Sequence, residues 1–170
     1  MRIYLGGFMG AGKTTVGRRV ARRLGLSFVD LDTEIERQAG VAIPVIFERE
    51  GESGFRQRER AALRVLSRRR GIVVATGGGT LSSPENRDLI RRSGKSVFLE
   101  APLEVLFDRI ERSSRSRPLF RDRDRARRLY EQRLEGYRDA ELTVPVAAGD
   151  AADDVAARVV ERLENGSCAT

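Results

Sequence analysis

Gly7-Phe8-Met9-Gly10-Ala11-Gly12-Lys13-Thr14 is a complete Walker A pattern, G-x-x-x-x-G-K-[ST]. Its surroundings are those the chemistry needs. Ile3, Tyr4 and Leu5 make a short buried strand before it. From Thr14 to Leu24, Val16, Val20, Ala21 and Leu24 recur on one side of an amphipathic helix. Gly7, Gly10 and Gly12 let the backbone bend where a Cβ would clash. Freed amides and the helix N-terminus then present partial positive charge to phosphate oxygens. Lys13 adds a mobile full charge near β/γ-phosphates, and the Thr14 hydroxyl is a ligand for Mg²⁺. The bland alternative is a glycine turn that opens a helix.

Alternation continues beyond this unit. Phe28–Asp30, Ile72–Ala75, Ser96–Leu99 and Leu142–Val146 read as strands two to five, with Pro145 arguing for an edge position. Helices are predicted over Thr33–Gln38, Ile43–Glu50, Phe55–Arg69, Pro84–Arg92, Leu103–Ile110, Asp124–Tyr137 and Ala152–Leu163. Residues 112–122 are polar and dense in Arg and Ser, and read as a loop. Such alternation implies an α/β fold: a doubly wound parallel sheet of five strands with helices on both faces. No repeat or linker divides the chain, so residues 1–170 are expected to form one domain. The helical stretch at about 33–69 looks like an insertion that carries substrate contacts. In such sheets ligands lie beyond the carboxyl ends of the strands, which directs attention to the residues after each strand.

After strand two comes Asp30-Leu31-Asp32. In extended chain two carboxylates at this spacing point the same way. One would hold Mg²⁺ through water and the other would accept a hydroxyl proton. Alternatively, Asp32 caps the following helix. Strand three is followed by Gly77-Gly78-Gly79, a loop of exposed amides on which a small ligand could lie. Arg56 could fork onto a carboxylate, although spacing alone makes it a surface residue. Arg115-Ser116-Arg117-Pro118-Leu119-Phe120 reads either as a disordered charged loop or as a lid delivering an arginine to a phosphoryl group. Arg133-Leu134-Glu135-Gly136-Tyr137 closes the next helix.

Composition bounds these readings. The chain has 170 residues, 40% of them hydrophobic, which suits one core. No apolar run approaches a membrane span, and the chain enters a strand at once, so neither membrane nor signal segment is expected. There is no His, so proton transfer falls to carboxylates, Lys, Tyr or water. The lone cysteine, Cys168, has no internal partner, which suggests a reducing cytoplasm. Net charge is +7, carried almost wholly by Arg; Lys13 and Lys95 are the only lysines. Nucleic acid or anionic small molecules would suit that charge. Few aromatics interleave the arginines, so most of them are read as solvated helix faces rather than a nucleic-acid surface.

Together these motifs resemble the shikimate kinase family over nearly the whole chain. The matching pieces are GFMGAGKTTVGRRVA, VDLDTEIE, GESGFRQRE, VVATGGGT, RPLF and RLEGY. The resemblance implies sheet order 2-3-1-4-5 and transfer of the γ-phosphoryl group of ATP to the 3-hydroxyl of shikimate. It implies that Lys13 and the amides of Gly10, Ala11, Gly12, Thr14 and Thr15 hold ATP phosphates, that Thr14 and Asp30 serve one Mg²⁺, and that Asp32 binds and polarises the acceptor. By the same resemblance Arg56 and Arg133 clamp the shikimate carboxylate, and Gly78 and Gly79 bind ring hydroxyls. Arg117 would act on the phosphates and Arg109 would stack on adenine, with Arg112 competing for that place. The partners implied are ATP or ADP and shikimate, for a cytoplasmic monomer that binds neither nucleic acid nor membrane. The chain departs from the family pattern at Phe120 and at Glu135, where Leu and Pro are usual, and Ala147–Asp150 carries no adenine-loop signature. Rival readings are a small-molecule kinase for gluconate or a nucleoside monophosphate, and a nucleic-acid-binding P-loop module.

Overall fold

Ile3, Tyr4 and Leu5 are all buried, so side chains on both faces of their strand are covered, as happens in parallel sheets flanked by helices. The computed structural model describes residues 1–111 and 123–165. Five strands, β1 (Arg2–Gly6), β2 (Ser27–Asp30), β3 (Ile72–Ala75), β4 (Lys95–Glu100) and β5 (Leu142–Pro145), form one parallel sheet in the order β2-β3-β1-β4-β5. This is the order implied by the resemblance. Pro145 closes an edge strand, where its missing N–H costs no ladder bond.

The helices are α1 (Lys13–Leu24), α2 (Leu31–Ala39), α3 (Ile43–Leu66), α4 (Pro84–Ser93), α5 (Leu103–Glu111), α6 (Arg123–Arg138) and α7 (Ala152–Asn165). α1 lies against the sheet at Gly17, where a methyl group would sit 2.6 Å from the Phe28 ring. Glycine inside a helix costs about 1 kcal/mol against alanine; here it permits that close approach. α3 spans what the pattern predicts as two helices. The prediction survives in the backbone: Gly51 has φ 66° and ψ −173°, so a non-helical residue breaks the run. One short 3₁₀ turn, Thr80–Ser82, was not legible in the sequence. Among the described residues no helix is long and apolar enough to cross a membrane.

Candidate active site

The loops after β1, β2 and β3 open into one cleft of about 1330 Å³. Its floor is the phosphate loop. Gly7, Gly10 and Gly12 all have positive φ (142°, 85° and 91°), a region closed to most side chains. The loop folds back through Ala11 N–H donating to the Phe8 carbonyl at 3.2 Å. Lys13 Nζ donates to the Gly7 and Phe8 carbonyls at 2.8 and 3.0 Å, which arches the ammonium over the loop that would receive phosphate.

Asp30 and Asp32 both line the cleft, but not for the reason of shared strand alternation. Asp30 ends β2 and Asp32 already lies in α2. The cap of α2 is Asp30, not Asp32: Asp30 Oδ1 accepts from the amides of Asp32 and Thr33 at 3.1 and 3.4 Å. Its other oxygen accepts the Thr14 hydroxyl at 2.7 Å. Asp32 is thereby released from capping and faces the cleft. Burial, followed by the neighbouring Asp30 charge, raises its carboxyl from 3.8 to about 6. Lys13 opposes that rise, while Glu59 and Glu36 add to it.

Each glycine of the triple admits a different functional group. A methyl carbon on Gly77 would lie 2.8 Å from Asp32 Oδ1. One on Gly78 would lie 3.3 Å from Arg133 Nη1, and one on Gly79 would lie 2.7 Å from Arg56 Nη2. The backbone after β3 is thus the surface on which the carboxylate and both arginines converge. Arg56 is not the surface residue that spacing alone suggests; its side chain is 28% exposed and lines the cleft. Its Nη1 donates to Glu59 Oε2 at 3.0 Å, and its Nη2 reaches Glu52 at 3.4 Å. The Arg133 guanidinium sits over the Phe8 ring, 6.0 Å from its centroid. α6 runs on through Glu135 and Gly136 to Arg138, so Glu135 does not end the helix.

At the far end, Arg109 lines the cleft and donates to the Ala147 carbonyl at 3.3 Å. Asp150 holds that turn by accepting the Ala147 amide at 2.8 Å and a hydrogen bond from Arg158. Arg112 and Arg117, with the rest of 112–122, lie outside the described residues, as does Cys168.

Sequence reasoning missed Glu59. It is 1% exposed, and its two oxygens hold Arg56 and the Thr80 hydroxyl, the latter at 2.7 Å. The signal was present. Phe55, Glu59, Ala62, Leu63 and Leu66 form the buried stripe of α3, and one member of that stripe is a carboxylate.

The shikimate kinase family model matches residues 9–164. The chain belongs to the shikimate kinase family. It is similar to a shikimate kinase of Halorhodospira halophila, 46% identical over 166 residues, covering 96% of this chain and 93% of that protein. It is also similar to one from Thiobacillus denitrificans, 49% identical over 149 residues, covering 85% and 81%. Among solved structures, shikimate kinase from Acinetobacter baumannii in complex with shikimate superposes with a TM-score of 0.89 at 41% identity, over 99% of this chain and 95% of that one. As a shikimate kinase the chain is an ATP-dependent phosphotransferase of the P-loop class.

Proposed function

We propose that this chain transfers the γ-phosphoryl group of ATP to the 3-hydroxyl of shikimate, and that the two ends of the cleft divide the reactants. The observation that carries this reading is the position of Asp32. It lies beside Gly77, within the electrostatic reach of Lys13, and on the same cleft as two arginines on separate helices. Gly10, Ala11, Gly12, Thr14 and Thr15 offer amides to the phosphates, and Lys13 neutralises charge on the group in transfer. Arg109 packs along the nucleotide base. Arg56 and Arg133 hold the acceptor carboxylate; two guanidinium forks suit a small carboxylic acid better than a nucleobase. The Gly78 and Gly79 backbone meets ring hydroxyls.

In the reaction the 3-hydroxyl oxygen forms a bond to the γ-phosphorus, and the bond from that phosphorus to the bridging oxygen of ADP breaks. The hydroxyl proton passes to the Asp32 carboxylate. A group raised to about 6 is ionised at neutral pH yet basic enough to take a proton. Arg117, assigned by the family resemblance alone, adds positive charge on the phosphates.

Mg²⁺ fits the residues present. Thr14 Oγ1 and Asp30 Oδ2 lie 2.7 Å apart at the mouth of the phosphate loop, both hard oxygen donors. Mg²⁺ with a nucleotide commonly uses one or two protein oxygens and completes its shell with phosphate and water. Thr14 and Asp30 would hold it, and the ion would supply charge neutralisation on the phosphates.

The cleft gathers Lys13, Arg56, Arg109 and Arg133 in one concave site, which supports action on two small anions. Dependence on ATP is in keeping with a cytoplasmic reaction. The test is ATP consumption against a panel of shikimate, gluconate and nucleoside monophosphates. Turnover with shikimate alone is expected, and it should vanish in Lys13→Ala with the fold intact by circular dichroism. Preference for gluconate or a nucleotide would overturn the reading.

A further inference from the structure

Tyr137 takes no part in the chemistry above, yet it reaches the acceptor end of the cleft from behind. It is wholly buried at the end of α6, with its ring stacked on Phe98 at 5.2 Å between centroids and 21° between planes. Its hydroxyl donates to the Gly78 carbonyl. It also interacts with Arg133, one helical turn earlier. One buried phenol therefore touches both a glycine of the triple and one arm of the arginine clamp.

The Gly78–Gly79 peptide is trans, so its C=O and N–H point in opposite directions. With the carbonyl tied to Tyr137, the Gly79 N–H is turned away from α6. Gly79 lines the cleft, and its amide makes no hydrogen bond among the described residues. Two adjacent glycines have little intrinsic preference for either orientation of the peptide between them. Something outside the loop must choose.

We propose that Tyr137 is a positioning residue for the acceptor subsite: its hydroxyl pins the Gly78 carbonyl and thereby keeps the Gly79 N–H aimed at a hydroxyl of the acceptor. This rests on the acceptor being shikimate, as proposed above. Burial raises the phenol to about 12, so it remains a donor at any working pH. Without the hydroxyl, the carbonyl has no hydrogen-bond partner among the described residues. The peptide then gains reason to rotate, which presents an acceptor where a donor is needed.

The test is Tyr137→Phe, which keeps the stacked ring. Calorimetry on the folded variant should show shikimate binding weakened about five- to tenfold, the worth of one oriented hydrogen bond. ADP binding should be unchanged. The same titrations with 3-deoxyshikimate, 4-deoxyshikimate and 5-deoxyshikimate supply the decisive readout. Loss of the partner hydroxyl should abolish the difference between the two proteins for one of these analogues, which a purely structural tyrosine would not do. Equal shikimate affinity in both proteins would overturn the proposal, as would an equal loss for shikimate and all three analogues. Should the wild-type protein itself fail to bind shikimate, the acceptor assignment falls, and that outcome is distinct from a silent Tyr137→Phe. If the variant melts early, the titrations are run below its transition.

Discussion

Glu59 holds Arg56 by one carboxylate oxygen and the Thr80 hydroxyl by the other, at 3.0 and 2.7 Å. Thr80 directly follows the glycine triple, and its carbonyl accepts from the Asn86 side chain at 3.1 Å. Glu59 is thus the point at which α3, the glycine loop and α4 are tied together. Arg56 is thereby held against the cleft wall.

Glu59→Gln should keep the shape but lose the charge that fixes the guanidinium. Shikimate affinity is expected to fall about tenfold, with ADP affinity within twofold, measured by calorimetry. Glu59→Ala should also destabilise the fold by about 2–4 kcal/mol in urea. That is below the full cost of breaking a buried pair, because Arg56 keeps 28% of its side chain in water. Unchanged shikimate binding in Glu59→Gln would show that Arg56 holds its pose unaided.

Asp32 is a carboxylate whose ionisation opposes folding. Its folded value, about 6, lies above the ordinary 3.8. Below about pH 4 the group is protonated in both states and the penalty is absent. It grows between pH 4 and 6 and is complete above, where it amounts to about 3 kcal/mol at most. Asp32→Asn should therefore be inactive yet more stable than the parent at pH 8, with the gap closing at pH 4. Denaturant unfolding at the two pH values checks this; a stability gap that does not depend on pH would place the cause elsewhere.

The same group should shape the rate. If Asp32 must be ionised to take the hydroxyl proton, kcat/KM for shikimate in the free enzyme falls tenfold per pH unit below about 6. With no histidine in the chain, no imidazole titrates in that window. A profile flat down to pH 5 would remove Asp32 as the proton acceptor.

Asp150 should matter to the nucleotide alone. It fixes the Ala147 turn, and the Ala147 carbonyl receives Arg109. Asp150→Ala is expected to raise KM for ATP about three- to tenfold while KM for shikimate and kcat stay near the parent. Paired with Arg109→Ala, the two losses should be less than additive, since they act through one carbonyl. Full additivity would break the link.

Local pattern decided a great deal about this protein. The strand, glycine loop and helix at its start follow from residues within hydrogen-bond reach of one another along the chain. So do the alternation of the strands and the break at Gly51. Periodicity and turn chemistry are short-range, and tertiary packing here does not overrule them. The site residues were named through family resemblance, but their neighbours were not. Whether Asp30 or Asp32 caps α2 depends on Thr14, sixteen residues earlier, engaging Asp30. Whether Arg56 faces solvent or cleft depends on Glu59 being carried into the core beneath Thr80. Tyr137 meets Gly78 across 59 residues of chain. Only the tertiary structure decides such contacts, because they are set by how helices seat on the sheet, and no local spacing encodes that seating.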